Sequence, residues 1–118
     1  MNSIRELTPE SYPALLKEIC DPPERLYIKG DMPGDDRTFL TVVGSRRFSD
    51  YGKEATESLI ASLRGLPIII VSGLAFGIDA IAHRAALRHG LKTVAIPGSG
   101  LGDDVLYPTS NKGLAREI

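Results

Sequence analysis

Three short segments gather the residues that could do chemistry. The first is Gly44-Ser45-Arg46-Arg47-Phe48-Ser49, two guanidinium groups set among small residues. The second is Ser72-Gly73-Leu74-Ala75-Phe76-Gly77-Ile78-Asp79, and the third is Pro97-Gly98-Ser99-Gly100-Leu101-Gly102-Asp103-Asp104. Glycine lets a backbone approach a ligand closely. Arginine presents a planar fork of donors suited to phosphate. Backbone N–H groups at the start of a helix favour anions. The inventory is that of a phosphate site, with candidate contacts Gly44, Ser45, Arg46, Arg47, Ser49, Ser72, Gly73, Phe76, Gly77, Gly98, Ser99 and Gly100. Glycine after a strand is also an ordinary turn residue, and Arg47 reads equally as a solvated charge. Three such segments in one chain are what favour a shared site.

Other chemistries find little support. No Gly-x-x-x-x-Gly-Lys string occurs, which excludes a P-loop, and Gly98, Gly100 and Gly102 follow the third strand, where a dinucleotide fingerprint follows the first. No His or Cys cluster has metal-ligand spacing, so neither a metal nor a cofactor is expected. Asp79 and His83 stand one helical turn apart on one face. With Ser72 they could be imagined as a Ser–His–Asp set. The simpler reading is that Asp79 braces the helix start and His83 packs beside it. His89, near a helix end, reads as a cation favoured by the helix dipole.

The loops need elements to hold them. Phe39-Leu40-Thr41-Val42-Val43, Ile68-Ile69-Ile70-Val71 and Thr93-Val94-Ala95-Ile96 read as short strands, the first two buried on both faces. Between them, helices are expected over residues 50–64, capped by Ser49, and 78–89, with a last helix capped by Thr109 or Ser110 and ending at Ile118. Tyr51, Ala55, Leu59 and Leu63 recur every four residues and suggest the apolar stripe of the first helix. Ala82, Ala85 and Ala86 give the second a small-residue face. Upstream, Pro13 suits the start of a helix running through Ile19, Asp21-Pro22-Pro23 ends it, and Leu26-Tyr27-Ile28 reads as a strand. The alternation of strand and helix is that of an α/β fold with a parallel sheet. Ligands of such sheets bind at the carboxyl ends of the strands, where all three loops lie.

The 118 residues, 42% hydrophobic and 25% charged, fit one soluble domain. Residues 1–38 read as a lead-in helix and strand and residues 39–118 as a βαβαβα core. The net charge of −1 excludes nucleic-acid binding by bulk positive charge. A local patch is allowed: residues 1–40 carry five basic and eight acidic side chains (net −3), whereas residues 41–118 carry nine and seven (net +2). A single cysteine, Cys20, fits a reducing cytoplasm. Met1–Glu10 has no apolar signal-peptide core, and no apolar run is long enough to span a membrane.

The strings Val43-Gly44-Ser45-Arg46, Ser49-x-Tyr51-Gly52 and Val71-Ser72-Gly73-Leu74-Ala75-x-Gly77-Ile78-Asp79, followed by Ala82-His83 and Ala86-Leu87, resemble the DNA-processing protein A (DprA/Smf) family. Tyr12-Pro13, Asp21-Pro22-Pro23, Leu26-Tyr27-Ile28-x-Gly30, Gly98-x-Gly100-Leu101 and Tyr107-Pro108-x-x-Asn111 continue the likeness over about residues 12–118. The resemblance implies a Rossmann-like fold. It also implies a non-enzymatic protein that binds single-stranded DNA and loads the RecA recombinase onto it in natural transformation and recombination, with a homodimer allowed. By the same resemblance Arg46 is a principal phosphate contact; Phe76, at the variable position of its string, either touches a base or packs into the fold. The sequence departs from the family in a third loop about two residues longer, with Asp103 and Asp104 adjacent, and it lacks the family's later strands. The alternative is a nucleotide-binding or nucleotide-hydrolysing protein of phosphoribohydrolase type. Pro97-Gly98-Ser99-Gly100 is distantly similar to the Pro-Gly-Gly-x-Gly-Thr-x-x-Glu motif of those enzymes, but no glutamate follows at the required spacing.

Overall fold

The computed structural model describes residues 3–34 and 36–118. The chain divides into two compact units, residues 1–35 and residues 36–118.

In the first unit, β1 (Ile4–Leu7) pairs antiparallel with β2 (Leu26–Lys29), Ile4 opposite Lys29 and Leu7 opposite Leu26. Between them lie a 3₁₀ turn at Pro9–Ser11 and α1 (Ala14–Lys17). Leu7 and Tyr12 are its buried side chains. Tyr12 brings its hydroxyl inside with a partner, donating to the Pro23 carbonyl at 3.0 Å. One expectation changes here, and one strand is new. The helix ends at Lys17, short of Ile19, because a turn leads into Asp21-Pro22-Pro23, where the prolines forbid helical backbone before them. And β1 exists although its Arg5-Glu6 centre hides any apolar alternation; it forms because β2 supplies its hydrogen-bond partners.

The second unit runs β3 (Thr38–Thr41), α2 (Asp50–Ser62), β4 (Ile68–Ser72), α3 (Ile78–Arg88), β5 (Lys92–Ala95), a 3₁₀ turn at Thr109–Asn111 and α4 (Lys112–Glu117). The sheet is parallel, in the order β3-β4-β5, with Thr38 opposite Ile68 and Ile69 opposite Lys92. It is flanked by helices, as the alternation of elements implied. β4 is central, and Ile69 and Ile70 are fully buried. Ile70, Ile60, Leu91 and the alanine face of α3 (Ala82, Ala85, Ala86) form one apolar cluster. Leu74, Ala80, Leu106 and Leu114 form a second.

Ser49 caps α2 as expected, its Oγ accepting from Gly52 N at 3.0 Å. Of the expected apolar stripe of α2 only Leu63 packs inward. Tyr51 and Leu59 are 79% and 53% exposed, and Ile60 is buried. The inward face runs through Gly52, Thr56, Ile60 and Leu63. Thr56 belongs on it because its hydroxyl donates to the Gly52 carbonyl at 2.8 Å, satisfying its polarity within the helix. β3 also differs from expectation. It lies at the edge of the sheet, with Leu40 and Val43 exposed, and is not buried on both faces. The last helix starts at Lys112, and neither Thr109 nor Ser110 caps it, since both sit inside the preceding 3₁₀ turn.

Candidate functional site

The three loops follow β3, β4 and β5 at their carboxyl ends. The first two are locked to each other. Ile78 N, at the start of α3, donates to the Ser45 carbonyl at 3.1 Å. Gly77, at φ +81°, lies so close to the first loop that an added Cβ would collide with the Ser45 carbonyl oxygen and stand 2.7 Å from that of Arg46. Gly44 is likewise pressed against Ile78, whose Cβ would lie 2.7 Å from a side chain at position 44. Ser45 Oγ closes a local turn, donating to the Arg47 carbonyl (2.7 Å) and accepting from Arg47 N (3.0 Å). The result is a stiff platform that presents Arg46.

The second loop is braced from below and behind. Asp79, buried in the first turn of α3, accepts from Gly73 N at 3.2 Å. Its charge sits at the positive end of the helix, where it is favoured. Asn111, also buried, donates to the carbonyls of Leu74 (2.9 Å) and Ala75 (3.4 Å). That bond helps hold Leu74 at φ +60°, an uncommon backbone conformation for a branched residue. In the third loop, Ser99 Oγ accepts from Tyr107 N at 2.9 Å and donates to the Gly100 carbonyl.

A cavity of about 280 Å³ opens among these loops. Of the sequence candidates it brings together Arg46, Gly73, Phe76, Gly98 and Ser99. Phe76 stacks edge-on against Tyr107, with ring centres 5.9 Å apart and planes at 88°. The Arg46 guanidinium has no side-chain partner among the described residues. Nothing would crowd a group above Gly98 within 4 Å. The remaining candidates lie elsewhere. Gly44 is used in packing, Ser45 closes its own turn, Ser49 caps α2, and Arg47 and Gly100 stand outside the lining. Ser72 is corrected outright: it is 2% exposed and its hydroxyl donates to the Val42 carbonyl at 2.6 Å, so it is not available to a ligand. Gly77 faces a neighbouring groove. Asp103 and Asp104 do not line the cavity, so no exposed carboxylate opposes Arg46 there. Ala75, Tyr107 and Pro108 complete the lining; all three stand in quoted motifs, though none was among the candidate contacts.

The imagined Ser–His–Asp set is not assembled. Thr93 Oγ1 donates to the Ile70 carbonyl (3.0 Å) and therefore accepts from His83 Nδ1–H (2.6 Å). His83 is fully buried and its Nε2 lacks a well-formed hydrogen bond among the described residues. Burial pushes its pKa down to about 4, against the opposing pull of the Asp79 carboxylate and, more weakly, of the Ser72 backbone. It is a neutral core residue. At the far end of α3, the Arg64 guanidinium donates to His89 Nδ1. No three metal-ligating side chains cluster among the described residues.

A family model described as DNA recombination-mediator protein A matches residues 4–118. The chain belongs to this family. It is 46% identical over 109 residues to the DNA processing protein DprA of Streptococcus pneumoniae, covering 92% of this chain and 38% of that protein. The X-ray structure of DNA processing protein A from Streptococcus pneumoniae superposes with a TM-score of 0.84 at 41% identity, covering 99% of this chain and 40% of that one. A structure of DNA processing protein A from Helicobacter pylori, described for its single-stranded DNA binding mode, superposes with a TM-score of 0.79 at 32% identity, over 98% of this chain and 51% of that one. The chain thus spans about two fifths of the Streptococcus pneumoniae family member.

Proposed function

We propose that the second unit binds single-stranded DNA, capturing a phosphate with Arg46 and resting a base against the Phe76–Tyr107 pair. The observation that carries this reading is an unpaired arginine beside an aromatic pair, in a cavity with open backbone above Gly98. Phosphate capture and aromatic stacking are the two devices of sequence-tolerant single-strand binding. The Helicobacter pylori protein, described as binding single-stranded DNA, supports the same ligand. Gly73 and Ser99 flank the phosphate; Gly44, Ser45, Arg47, Ser49, Gly77 and Gly100 shape the loops around it.

Binding is the whole of the proposed activity. The cavity lining has no carboxylate, whereas the hydrolytic alternative needs placed carboxylates. The reading extends, through the family, to loading RecA onto the strand during transformation and recombination, to a homodimer, and to a cytoplasmic setting. No described helix is long and apolar enough to cross a membrane. The test is Arg46→Ala with oligo-dT at low salt, read by fluorescence anisotropy. Affinity should fall by roughly tenfold, with the slope of log K against log salt flatter by about 0.7. Equal binding by parent and variant removes Arg46 from the site. Nucleotide monophosphates, titrated alongside by calorimetry, should not outcompete the oligonucleotide.

A further inference from the structure

A second concavity lies beside the cavity just described. It is a groove of about 460 Å³ between α2 and α3, and it shares one wall with the first: Phe76 lines both. Phe76 is 41% exposed, so its ring forms the ridge between the two hollows. Beyond the ridge stand Phe48, Lys53, Arg84 and Arg88, with Glu57 as the one acid. Glu57 is engaged by Arg88, whose Nη1 donates to its Oε2 at 3.1 Å. Lys53 and Arg84 carry no ion pair among the described residues, and both are exposed. Arg84 and Arg88 stand one turn apart on α3, with Lys53 facing them from α2. The groove therefore has a net charge of +2 in a chain whose total is −1.

We propose that this groove is the continuation of the DNA track: a strand held at Arg46 crosses Phe76 and lays its next phosphates against Lys53 and Arg84. The inference rests on the single-stranded DNA reading above and adds a second contact surface to it. Three features point to a strand. The cations are free to exchange counterions for phosphates. Each hollow joins aromatic side chains to cations, Tyr107 and Phe76 with Arg46 in one and Phe76 and Phe48 with Lys53 and Arg84 in the other, which is the combination that single-strand binding uses. The two hollows also share Phe76, so a strand leaving one passes over that ring into the other. Arg88, already tied to Glu57, contributes less than the other two cations.

Oligonucleotide length separates the two surfaces. A dT dinucleotide is about as much as the 280 Å³ cavity can engage, and an oligomer of about sixteen can reach both hollows. Lys53→Ala/Arg84→Ala removes two exposed charges that make no ion pair among the described residues, so circular dichroism should match the parent. The double variant should bind the short oligomer as the parent does. It should bind the long one roughly tenfold more weakly, with the salt slope flatter by about 1.4, or 0.7 for each lost phosphate contact. Lys53→Arg/Arg84→Lys should restore the long-oligomer affinity. If the double variant binds the long oligomer with the parent's affinity and slope while Arg46→Ala still weakens both lengths, the groove is not part of the track and the Arg46 reading stands. If the double variant weakens both lengths equally, the groove is not a separate extension and the proposal fails. If Arg46→Ala changes neither length, both readings fall together.

Discussion

His83 shows how a residue type suited to catalysis can be spent on the core. Its Nδ1–H is committed to Thr93, its Nε2 lacks a well-formed hydrogen bond among the described residues, and burial holds its pKa near 4 against a usual 6.5. The unfolded chain therefore takes up a proton near pH 6.5 that the native protein refuses until about pH 4. The stability due to this depressed pKa is complete above 6.5 and is lost as the pH falls from there through 4, by roughly 3 kcal/mol. Urea unfolding of the parent and of His83→Gln at pH 7 and pH 4 reads this directly. The stability difference between the two proteins should shrink by about that amount at the lower pH. A difference that does not change with pH would mean that the native ring titrates normally. At the same scale, Ser72 and Arg46 show what residue type alone can and cannot reveal. Both stand close to a glycine in a strand-to-loop segment, yet Ser72, the last residue of β4, is sealed on the Val42 carbonyl and Arg46 is open. No spacing in the sequence shows that a carbonyl thirty residues upstream lies within reach.

At the scale of elements, α2 offers the sharpest contrast. Residues 59 and 60 are both large aliphatics, and a four-residue spacing points to Leu59, yet Ile60 is fully buried while Leu59 is half exposed. Ile60→Ala should cost about 2–5 kcal/mol, as a large-to-small change in a packed cluster does, whereas Leu59→Ala should stay within about 0.5 kcal/mol. Thermal unfolding of the two variants decides it, and equal losses would overturn the assigned face. The misreading has a physical cause. Gly52 and Thr56 read as polar or neutral, but they face inward because one is small enough to lie near Ile78 and the other satisfies its own hydroxyl. The strands and helices of the second unit were legible because their β-branched runs, alanine face and glycine stops agree with one another. β1 was not, because four residues with charges at their centre acquire strand character only from β2, about twenty residues away.

For the whole molecule, what matters is where the binding surface lies. Both hollows are lined only by residues of the second unit, which also has two apolar clusters of its own. A chain comprising residues 36–118 should therefore bind oligo-dT within a factor of about two of the 118-residue protein, as a unit with its own core can fold alone. A much larger loss would show that residues 1–35 contribute to the surface. The uneven charge points the same way, since the basic excess lies in the part that carries the loops.

Asn111 gives this surface a timetable. The Leu74 and Ala75 carbonyls it holds lie 37 and 36 positions earlier in the chain. During synthesis at about 5–20 residues per second, the loop after β4 waits roughly two to seven seconds before the residue that braces it is made. Until then a growing chain carries Arg46 and Phe76 without that brace, so the surface matures only after α3 and β5 have been made.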